Sequence, residues 1–421
     1  MRKKIPVEEL KPGMWVTELD RPWRETPLLF QGFEVKDDHD IDEIRRHCRY
    51  VFIETSEEHD AAIHHLPGTP ESRVQFSPAA RRQEFTVLKK FAAGPPPAPR
   101  YPDRTTLEQE LPRAREVVRE SKLLMQDIMD DVRVGQSLNT AVAKQAVARM
   151  VDSILDNPDA LVCLGQIKSK DQYTAEHGLR VCIIALAFGR HLGLEAPDLN
   201  YLGIGALLHD IGKVRIPLEI LNKPTRLTAE EFEVMKMHVP HGVDILQATP
   251  GIPPPAIDLV RYHHERFDGT GYVSGTKGEQ IGLFGSIGAI VDCYDAITSD
   301  RTYHNGMSSF DALNRMYEWR GKDLHPELTE QFIQCMGVYP IGSVVELNTG
   351  AVGVVISVNR FRRLRPRLQL VLTPEKTPYA PPRMIDLMQL DAETGGVPVE
   401  IRHVLPHGAH GVNPADYLPK P

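Results

Sequence analysis

Seven side chains of the types that bind divalent metals lie between residues 177 and 292 of the chain. Imidazole and carboxylate groups suit borderline and hard metals such as iron, manganese and zinc. A lone histidine is more often a surface residue or a satisfied core residue, but that explanation fails for the whole set. Five histidines and two aspartates exceed the needs of one metal, so they predict a multinuclear centre: His177, His209, Asp210, His238, His263, His264 and Asp292.

A lysine follows the pair His209-Asp210 in the segment Leu207-Leu-His-Asp-Ile-Gly-Lys213. On a helix, Lys213 would lie one turn after His209 and project from the same face. Metal ligands beside an ammonium group suit a substrate that carries phosphate. The spacing therefore indicates metal-assisted chemistry at phosphorus.

The elements around these residues are predicted to be helical. Apolar residues recur with a helical period from Leu107 to about Gly337, as in Val181, Ile184 and Phe188. We interpret residues 106–337 as an all-α domain that holds more than half of the chain and all seven metal-type side chains.

The flanking segments have different patterns. Residues 1–70 alternate short apolar runs with turn residues around one helical stretch, which predicts a small α+β module of regulatory or unknown role. Residues 71–105 contain Gly94-Pro-Pro-Pro-Ala-Pro and are interpreted as a stiff linker. A hairpin pattern with a turn at Asn348-Thr-Gly350 predicts a β-rich module at 338–405, and residues 406–421 are expected to be a flexible tail. The predicted fold class is mainly α, with a small module on each side.

Composition restricts the compartment and the partners. The 421 residues carry a formal net charge of -8, which argues against nucleic acid as a main partner. We expect no apolar run to approach the roughly 18 residues that span a bilayer, so we predict a cytoplasmic protein without membrane association. The five cysteines form no Cys-x-x-Cys pair and are interpreted as buried thiols: Cys48, Cys163, Cys182, Cys293 and Cys335.

Several blocks, in order, resemble the HD-GYP group of HD-domain phosphohydrolases. They are Leu207 to Lys213, Met237-His238, His263-His-Glu-Arg-Phe-Asp-Gly-Thr-Gly-Tyr272, and Val291-Asp-Cys-Tyr-Asp-Ala-Ile-Thr-Ser-Asp-Arg301. The segment Leu10-Lys-Pro-Gly-Met-Trp15 is similar to the domain of unknown function that often precedes HD-GYP domains. Tyr339-Pro-Ile-Gly-Ser-Val-Val-Glu-Leu347 is similar to the usual C-terminal extension of that group.

This resemblance implies an all-α HD-type catalytic domain and a phosphodiesterase that opens cyclic di-GMP to pGpG and possibly GMP. It implies that the seven residues are ligands of about two metals, iron or manganese above all, with Asp210 as a bridging, catalytic ligand. Two such metals can stabilise both the attacking and the leaving oxygen of a displacement at phosphorus. Lys213 is expected to act in catalysis and to bind substrate. The other expected substrate contacts are Arg301, His304, Gly271 and Tyr272.

Two positions depart from the pattern of the family, and a third is expected to support a metal ligand. The motif Gly-Tyr-Pro is Gly271-Tyr272-Val273 here, which leaves more backbone freedom. Some members carry a glutamate, which helps bind a third metal, where this chain has Tyr173. Asp295, three residues after Asp292 on a predicted helix, is expected to orient a ligand histidine through its second ring nitrogen.

Two other classes of function stay open from the sequence. One is an HD phosphohydrolase acting on another nucleotide, because fold alone does not fix the substrate. The other is a signalling adaptor that responds to cyclic di-GMP without turnover, favoured by Val273 and opposed by the full set of metal-type side chains. Other signalling proteins and a second copy of the chain are further candidate partners.

Overall fold

The computed structural model describes residues 2–12, 14–19, 33–35, 38–54, 101–166, 173–223, 225, 227–299, 306–359, 364–389, 399–406 and 408–419. The chain divides into two compact units, Met1–Pro70 and Glu71–Pro421. The predicted fold class, a helical domain flanked by two small β-containing modules, is confirmed. Most of the predicted linker lies outside the described residues.

The described residues of the first unit form a four-stranded antiparallel sheet with one α-helix. The sheet has the order β1-β4-β2-β3, and its core is formed by Val16, Ile44 and Val51, which are completely buried. Its elements are β1 (Arg2–Pro6), β2 (Trp15–Leu19), β3 (Phe33–Glu34), α1 (Asp38–His47) and β4 (Tyr50–Glu54).

The second unit begins with the helical domain. Local signals fix several helix starts: Thr106 and Thr228 each accept a hydrogen bond from the backbone three residues later and form a capping box. The helices are α2 (Leu107–Arg133), α3 (Thr140–Asp156), α4 (Pro158–Gly165), α5 (Tyr173–His191), α6 (Ala196–Leu207), α7 (Leu218–Leu221), α8 (Ala229–Lys236), α9 (His238–Ala248), α10 (Pro254–Tyr262), α11 (Gly282–Thr298), α12 (Ser309–Trp319) and α13 (Pro326–Met336).

The central helix α11 corrects the expectation that no apolar run approaches the length needed to span a bilayer. Together with the short 3-10 turn before it, the helical segment Gly278–Thr298 is long and apolar enough to cross a membrane by length and composition. However, 61% of its apolar window is buried inside the protein, where Ile287 and Ile290 pack in the core. An apolar helix of this kind is typical of the centre of a helical domain, and it holds Asp292 against α5.

The C-terminal module is a five-stranded antiparallel sheet with the order β8-β7-β6-β5-β9. It contacts the helical domain through Asp159 of α4, whose carboxylate accepts hydrogen bonds from Ser357 Oγ (2.7 Å) and Val358 N (3.2 Å). The strands are β5 (Val344–Leu347), β6 (Val352–Ser357), β7 (Arg367–Leu372), β8 (Pro378–Asp386) and β9 (Ile401–Leu405).

The segment after β9 differs from the flexible tail that was expected at 406–421. Val412 and Leu418 are only 2% and 4% exposed. Burying two branched apolar side chains favours an ordered segment. The sequence did not indicate this because Gly, His and Pro dominate the composition of the segment.

Candidate metal centre

Most of the seven metal-type residues lie at the ends of helices. His209 and Asp210 follow α6, His238 is the first residue of α9, and His263 and His264 follow α10. His177 and Asp292 lie within the neighbouring helices α5 and α11. Helix packing therefore brings seven residues from five separate places in the sequence to one buried site.

The predicted single helix carrying His209 and Lys213 is wrong in detail. Helix α6 ends at Leu207, and Ile211–Arg215 forms a 3-10 helix instead. Gly212 permits this arrangement because a Cβ atom there would lie 1.9 Å from the carbonyl oxygen of His238. The backbone after Asp210 thus packs directly against the start of α9, which brings His209, Asp210 and His238 together.

The seven residues form two clusters, each with potential ligand atoms within 4.8 Å of one another. The first cluster, here called the His177 cluster, contains His177, His209 and Asp292. The second, here called the His263 cluster, contains Asp210, His238, His263 and His264. All seven predicted ligand positions belong to one of the two clusters.

The two aspartates lie between the clusters. Asp210 Oδ2 is 3.3 Å from His209 Nε2, whereas Asp210 Oδ1 is 3.4 Å from His238 Nε2. Asp292 Oδ1 is 3.0 Å from His177 Nε2, and Asp292 Oδ2 is 3.8 Å from His264 Nδ1. Each carboxylate therefore directs its two oxygens to different clusters, as a bridging ligand requires.

Main-chain hydrogen bonds fix the tautomer of three histidines. The Nδ1 atoms of His209, His238 and His263 lie 2.7–2.8 Å from the carbonyl oxygens three residues earlier. A carbonyl can only accept, so Nδ1 carries the proton and Nε2 is left with a lone pair. This second-nitrogen contact is the usual way in which proteins orient histidine ligands.

His177 is held by a different kind of partner. Its Nδ1 lies 2.7 Å from Oδ2 of Asp295, the position in which Asp295 was expected to orient a histidine. Arg180 donates to both carboxylate oxygens of Asp295, at 2.7 and 2.9 Å. Sequence reasoning missed Arg180; its spacing of three residues from His177 on a predicted helix was the available signal.

The donor set fits divalent metals. Asp210 Oδ1, His238 Nε2 and His263 Nε2 are buried without a hydrogen-bond partner in the described structure. Leaving such groups without a partner is unfavourable by about 1–3 kcal/mol each, so the site is built to receive something that they bind. Three unpartnered lone pairs that converge on one volume are suited to a cation.

Protonation in the His263 cluster also suits a cation. Burial holds the pKa of His263 well below its usual range and lowers that of His264 to about 3, so both rings are neutral at pH 7. Burial opposes ionisation of Asp210, but the nearby ammonium of Lys213 helps to hold the pKa of Asp210 well below its usual value. Neutral imidazole and ionised carboxylate are the forms that bind metals.

The pKa of His177 is shifted in the opposite direction, upward. Burial disfavours its cation, but hydrogen bonds with Asp292 and Asp295 outweigh burial and raise the pKa of His177 to about 9. Nε2 of His177 thus shares a proton with Asp292, the carboxylate that would also bind the metal. A bound metal would take the place of that proton.

Of the predicted substrate contacts, Lys213 and Tyr272 lie at the site. Lys213 Nζ is 2.5 Å from Asp210 Oδ2, and its side chain is 19% exposed. Tyr272 stacks on His264 with ring centroids 4.7 Å apart. Gly271 packs so closely on the backbone that a Cβ would lie 2.3 Å from Arg266 N, which indicates a packing constraint at this position. Arg301 and His304 lie outside the described residues.

The loop with Tyr272 is anchored by Glu265, another residue that sequence reasoning missed. Glu265 is 2% exposed, and its Oε1 accepts from Ser274 N (2.7 Å) and Ser274 Oγ (2.8 Å). Phe232 of α8 contacts Tyr272 edge-on, with centroids 5.9 Å apart. The side of the site near His264 is therefore bordered by an anchored aromatic pair.

Three family models match the chain. Residues 2–143 match a domain of unknown function, residues 162–328 match an HD domain, and residues 344–392 match a KOW domain associated with the HD domain. The HD match covers all seven residues of the two clusters. HD-domain phosphohydrolases depend on metals, in agreement with the chemistry of the donor set.

The chain is similar to several characterised proteins. A cyclic di-GMP phosphodiesterase of Pseudomonas aeruginosa is 34% identical over 95% of this chain and 93% of its own length. A cyclic di-GMP phosphodiesterase of Thermotoga maritima is 36% identical over 39% of this chain and 45% of its own. A 3'3'-cGAMP-specific phosphodiesterase of Vibrio cholerae is 30% identical over 40% of this chain and 32% of its own.

Proposed function

The chain belongs to the HD-GYP family of HD-domain phosphohydrolases, and from this premise we propose that it hydrolyses cyclic di-GMP. The product is the linear dinucleotide pGpG, which a second hydrolysis would convert to GMP. The similarity to the Pseudomonas aeruginosa enzyme supports this substrate because it extends over nearly the full length of both chains.

One observation carries the proposal: two clusters of metal-type ligands share a pair of carboxylates that face both of them. We infer that the His177 cluster and the His263 cluster each hold one divalent metal, iron or manganese. Such metals, when bound, neutralise charge on phosphoryl oxygens and make a water nucleophilic near neutral pH. The ligand residues in this assignment are all seven of the predicted set.

The remaining side chains supply positioning and charge. Lys213 lies beside Asp210 at the partly exposed border of the site, where its ammonium can contact a phosphate oxygen as a point charge. Tyr272, held on His264 and against Phe232, limits how the substrate enters from that side. Arg301 and His304 remain proposed substrate contacts.

A second substrate deserves a parallel test because a relative is specific for 3'3'-cGAMP. Cyclic di-GMP and 3'3'-cGAMP share the same phosphodiester ring and differ in one base. The metal centre described above would act on either compound, so contacts to the bases decide between them.

The test is a product assay with the full chain loaded with manganese or ferrous iron. Cyclic di-GMP, 3'3'-cGAMP and linear pGpG are incubated separately, and the products are separated by chromatography. We expect pGpG from cyclic di-GMP at a higher kcat/KM than any product from 3'3'-cGAMP. Binding of cyclic di-GMP without product would identify an adaptor, and preferential cleavage of 3'3'-cGAMP would identify the other substrate class.

A further inference from the structure

The four histidines His177, His209, His238 and His263 present Nε2 to the clusters but differ in what holds Nδ1. Three of them use a carbonyl oxygen of their own chain segment, three residues earlier. His177 uses the side chain of Asp295, which lies 118 residues away in the sequence. The orientation of His177 therefore depends on a side chain that could itself move.

Arg180 removes that freedom from Asp295. Its Nε donates to Oδ1 at 2.7 Å and its Nη2 donates to Oδ2 at 2.9 Å, a paired contact that fixes the plane of the carboxylate. Arg180 and Asp295 are 6% and 1% exposed, so water does not compete for these bonds. Ser299 Oγ also lies within hydrogen-bond distance of Asp295 Oδ2, at 3.4 Å.

The contacts form two rungs between α5 and α11. His177 and Arg180 are one turn apart on α5, and Asp292 and Asp295 are one turn apart on α11. The front rung joins His177 Nε2 to Asp292 Oδ1 at 3.0 Å, and the rear rung joins Arg180 to Asp295. Asp295 links the two rungs, because the Oδ2 atom that Arg180 binds also accepts a hydrogen bond from His177 Nδ1.

We propose that Arg180 is a positioning residue: by fixing the Asp295 carboxylate it holds Nε2 of His177 toward His209 and Asp292. The inference rests on the proposed metal centre but not on the identity of the substrate. It predicts that loss of Arg180 weakens the metal of the His177 cluster and leaves the His263 cluster unchanged.

The physical reason is that Asp295 would lose the paired hydrogen bonds from Arg180. Without the guanidinium, the buried Asp295 carboxylate keeps His177 and Ser299 as its side-chain partners among the described residues, and it would turn or draw the ring toward itself. Losing a partner that orients a histidine ligand typically lowers metal affinity about 10- to 100-fold. In the His263 cluster, His238 and His263 are oriented by main-chain carbonyls, whereas the described hydrogen bonds of Arg180 go to Asp295 and Ser299.

The experiment measures binding of Mn²⁺ alone, without substrate, by equilibrium dialysis and elemental analysis of the full-length protein. Arg180→Met removes the charge and both donors while keeping an extended side chain. Arg180→Lys keeps the charge but offers a single ammonium. Arg190→Met is the matched control, since Arg190 is a 5% exposed arginine of the same helix whose Nη2 bonds Asp103 at 2.8 Å.

We expect the wild type and Arg190→Met each to bind two Mn²⁺ per chain. At each of the two sites the control variant should have the same affinity for Mn²⁺ as the wild type. Arg180→Met should bind one of the two about 10- to 100-fold more weakly, and Arg180→Lys should be intermediate. In a His209→Ala background, Arg180→Met should have no further effect on the remaining Mn²⁺. In a His238→Ala background it should still weaken the metal that remains.

Thermal melts identify which variants are folded. If Arg180→Met does not fold, Arg180→Lys is the variant whose Mn²⁺ binding tests the inference. Wild-type affinity for both Mn²⁺ ions in a folded Arg180 variant would overturn the inference. Equal weakening of both ions would also overturn it, since that is the result of a general structural defect. A selective loss in a protein that cleaves neither cyclic dinucleotide would support the inference while rejecting the proposed function.

Discussion

Asp210 is the residue on which the two clusters depend most directly. Its two oxygens lie 3.3 Å from His209 Nε2 and 3.4 Å from His238 Nε2, and its Oδ1 is buried without a hydrogen-bond partner. An aspartate in this position can serve two cations and offset their repulsion. An asparagine has the same shape, but it is neutral and its nitrogen has no lone pair for a cation.

Asp210→Asn should therefore lower hydrolysis of cyclic di-GMP by a factor on the order of a thousand or more. The fold should survive, because Leu207, Leu208 and Ile211 around it are at most 1% exposed and anchor this segment. The measurement is a product assay beside a circular dichroism melt. Asp244→Asn, at an exposed position on α9, is the control and should retain activity. Near wild-type turnover by a folded Asp210→Asn protein would place the catalytic centre elsewhere.

We expect single residues to set the number of bound metals as well. Where some family members have a glutamate that binds a third metal, this chain has Tyr173, whose phenol ordinarily ionises near pH 10. Glu176, the carboxylate next to His177, is engaged in an ion pair with Lys122 of α2. We expect elemental analysis of anaerobically purified, fully loaded protein to give two tightly bound metals per chain. Three tightly bound metals would contradict this expectation.

At the scale of elements, the site is built by the junction between the 3-10 helix Ile211–Arg215 and helix α9. Gly212 allows this junction: a Cβ there would lie 1.9 Å from His238 O and 2.4 Å from Gly242 N, both backbone atoms that cannot turn aside. Gly165 of α4 offers a contrast, since its Cβ would meet Ile183 at an ordinary 3.7 Å.

Gly212→Ala should force the 3-10 helix and α9 apart. We expect a loss of about 1–3 kcal/mol in the free energy of unfolding, measured by urea titration, together with weaker Mn²⁺ binding. Both effects arise because Asp210 and His238 are displaced from one another. Gly165→Ala should leave Mn²⁺ binding unchanged. If Gly212→Ala binds Mn²⁺ like the wild type, the close packing of these two backbones is not needed for the site.

The loop after His264 is the second element at the site. It carries Tyr272 and then Val273, which is 51% exposed and belongs to neither cluster. Val273→Pro should leave metal content unchanged and alter turnover by no more than about tenfold, or 1.4 kcal/mol of barrier. Metal analysis and steady-state kinetics check both statements. Activity appearing only in the proline variant would instead identify the natural protein as a silent adaptor.

At the scale of the whole molecule, polar contacts attach the C-terminal sheet to the helical domain, one at the buried Asp159 and one at the surface. Asp159 of α4 is 3% exposed and accepts hydrogen bonds from Ser357 and Val358 at the end of β6. A second contact joins Arg367 of β7 to Glu108 of α2 at 2.7 Å. These contacts make the predicted catalytic domain and the β-rich module parts of one compact unit.

Asp159→Ala should lower the stability of this unit by about 1–3 kcal/mol, because it leaves the Val358 amide without its acceptor in a partly buried place. Urea unfolding measures the change. Asp152→Ala, at a side chain that is 65% exposed on α3, should change stability by no more than about 0.5 kcal/mol. Equal stability of Asp159→Ala and the wild type would mean that the attachment does not depend on this carboxylate.

The sequence by itself determined the parts of this protein that depend on local pattern. Helical periodicity identified the central domain, a hairpin pattern identified the C-terminal sheet, and the residue types of the seven metal-type side chains predicted metal-assisted chemistry. Even the tautomers of His209, His238 and His263 follow from a contact within three residues. Such features are encoded by neighbours in the chain, so reading along the sequence finds them.

Only the tertiary structure decided how the seven residues divide into two clusters and which carboxylate oxygens face each one. Arg180 and Asp295 are 115 residues apart in sequence and meet only because α5 packs on α11. Likewise the break after Leu207 arises from the close approach of Gly212 to α9, and the order of the tail arises from the burial of Val412 and Leu418. In each case the deciding interaction joins distant segments, and no local pattern specifies which segments will pack together.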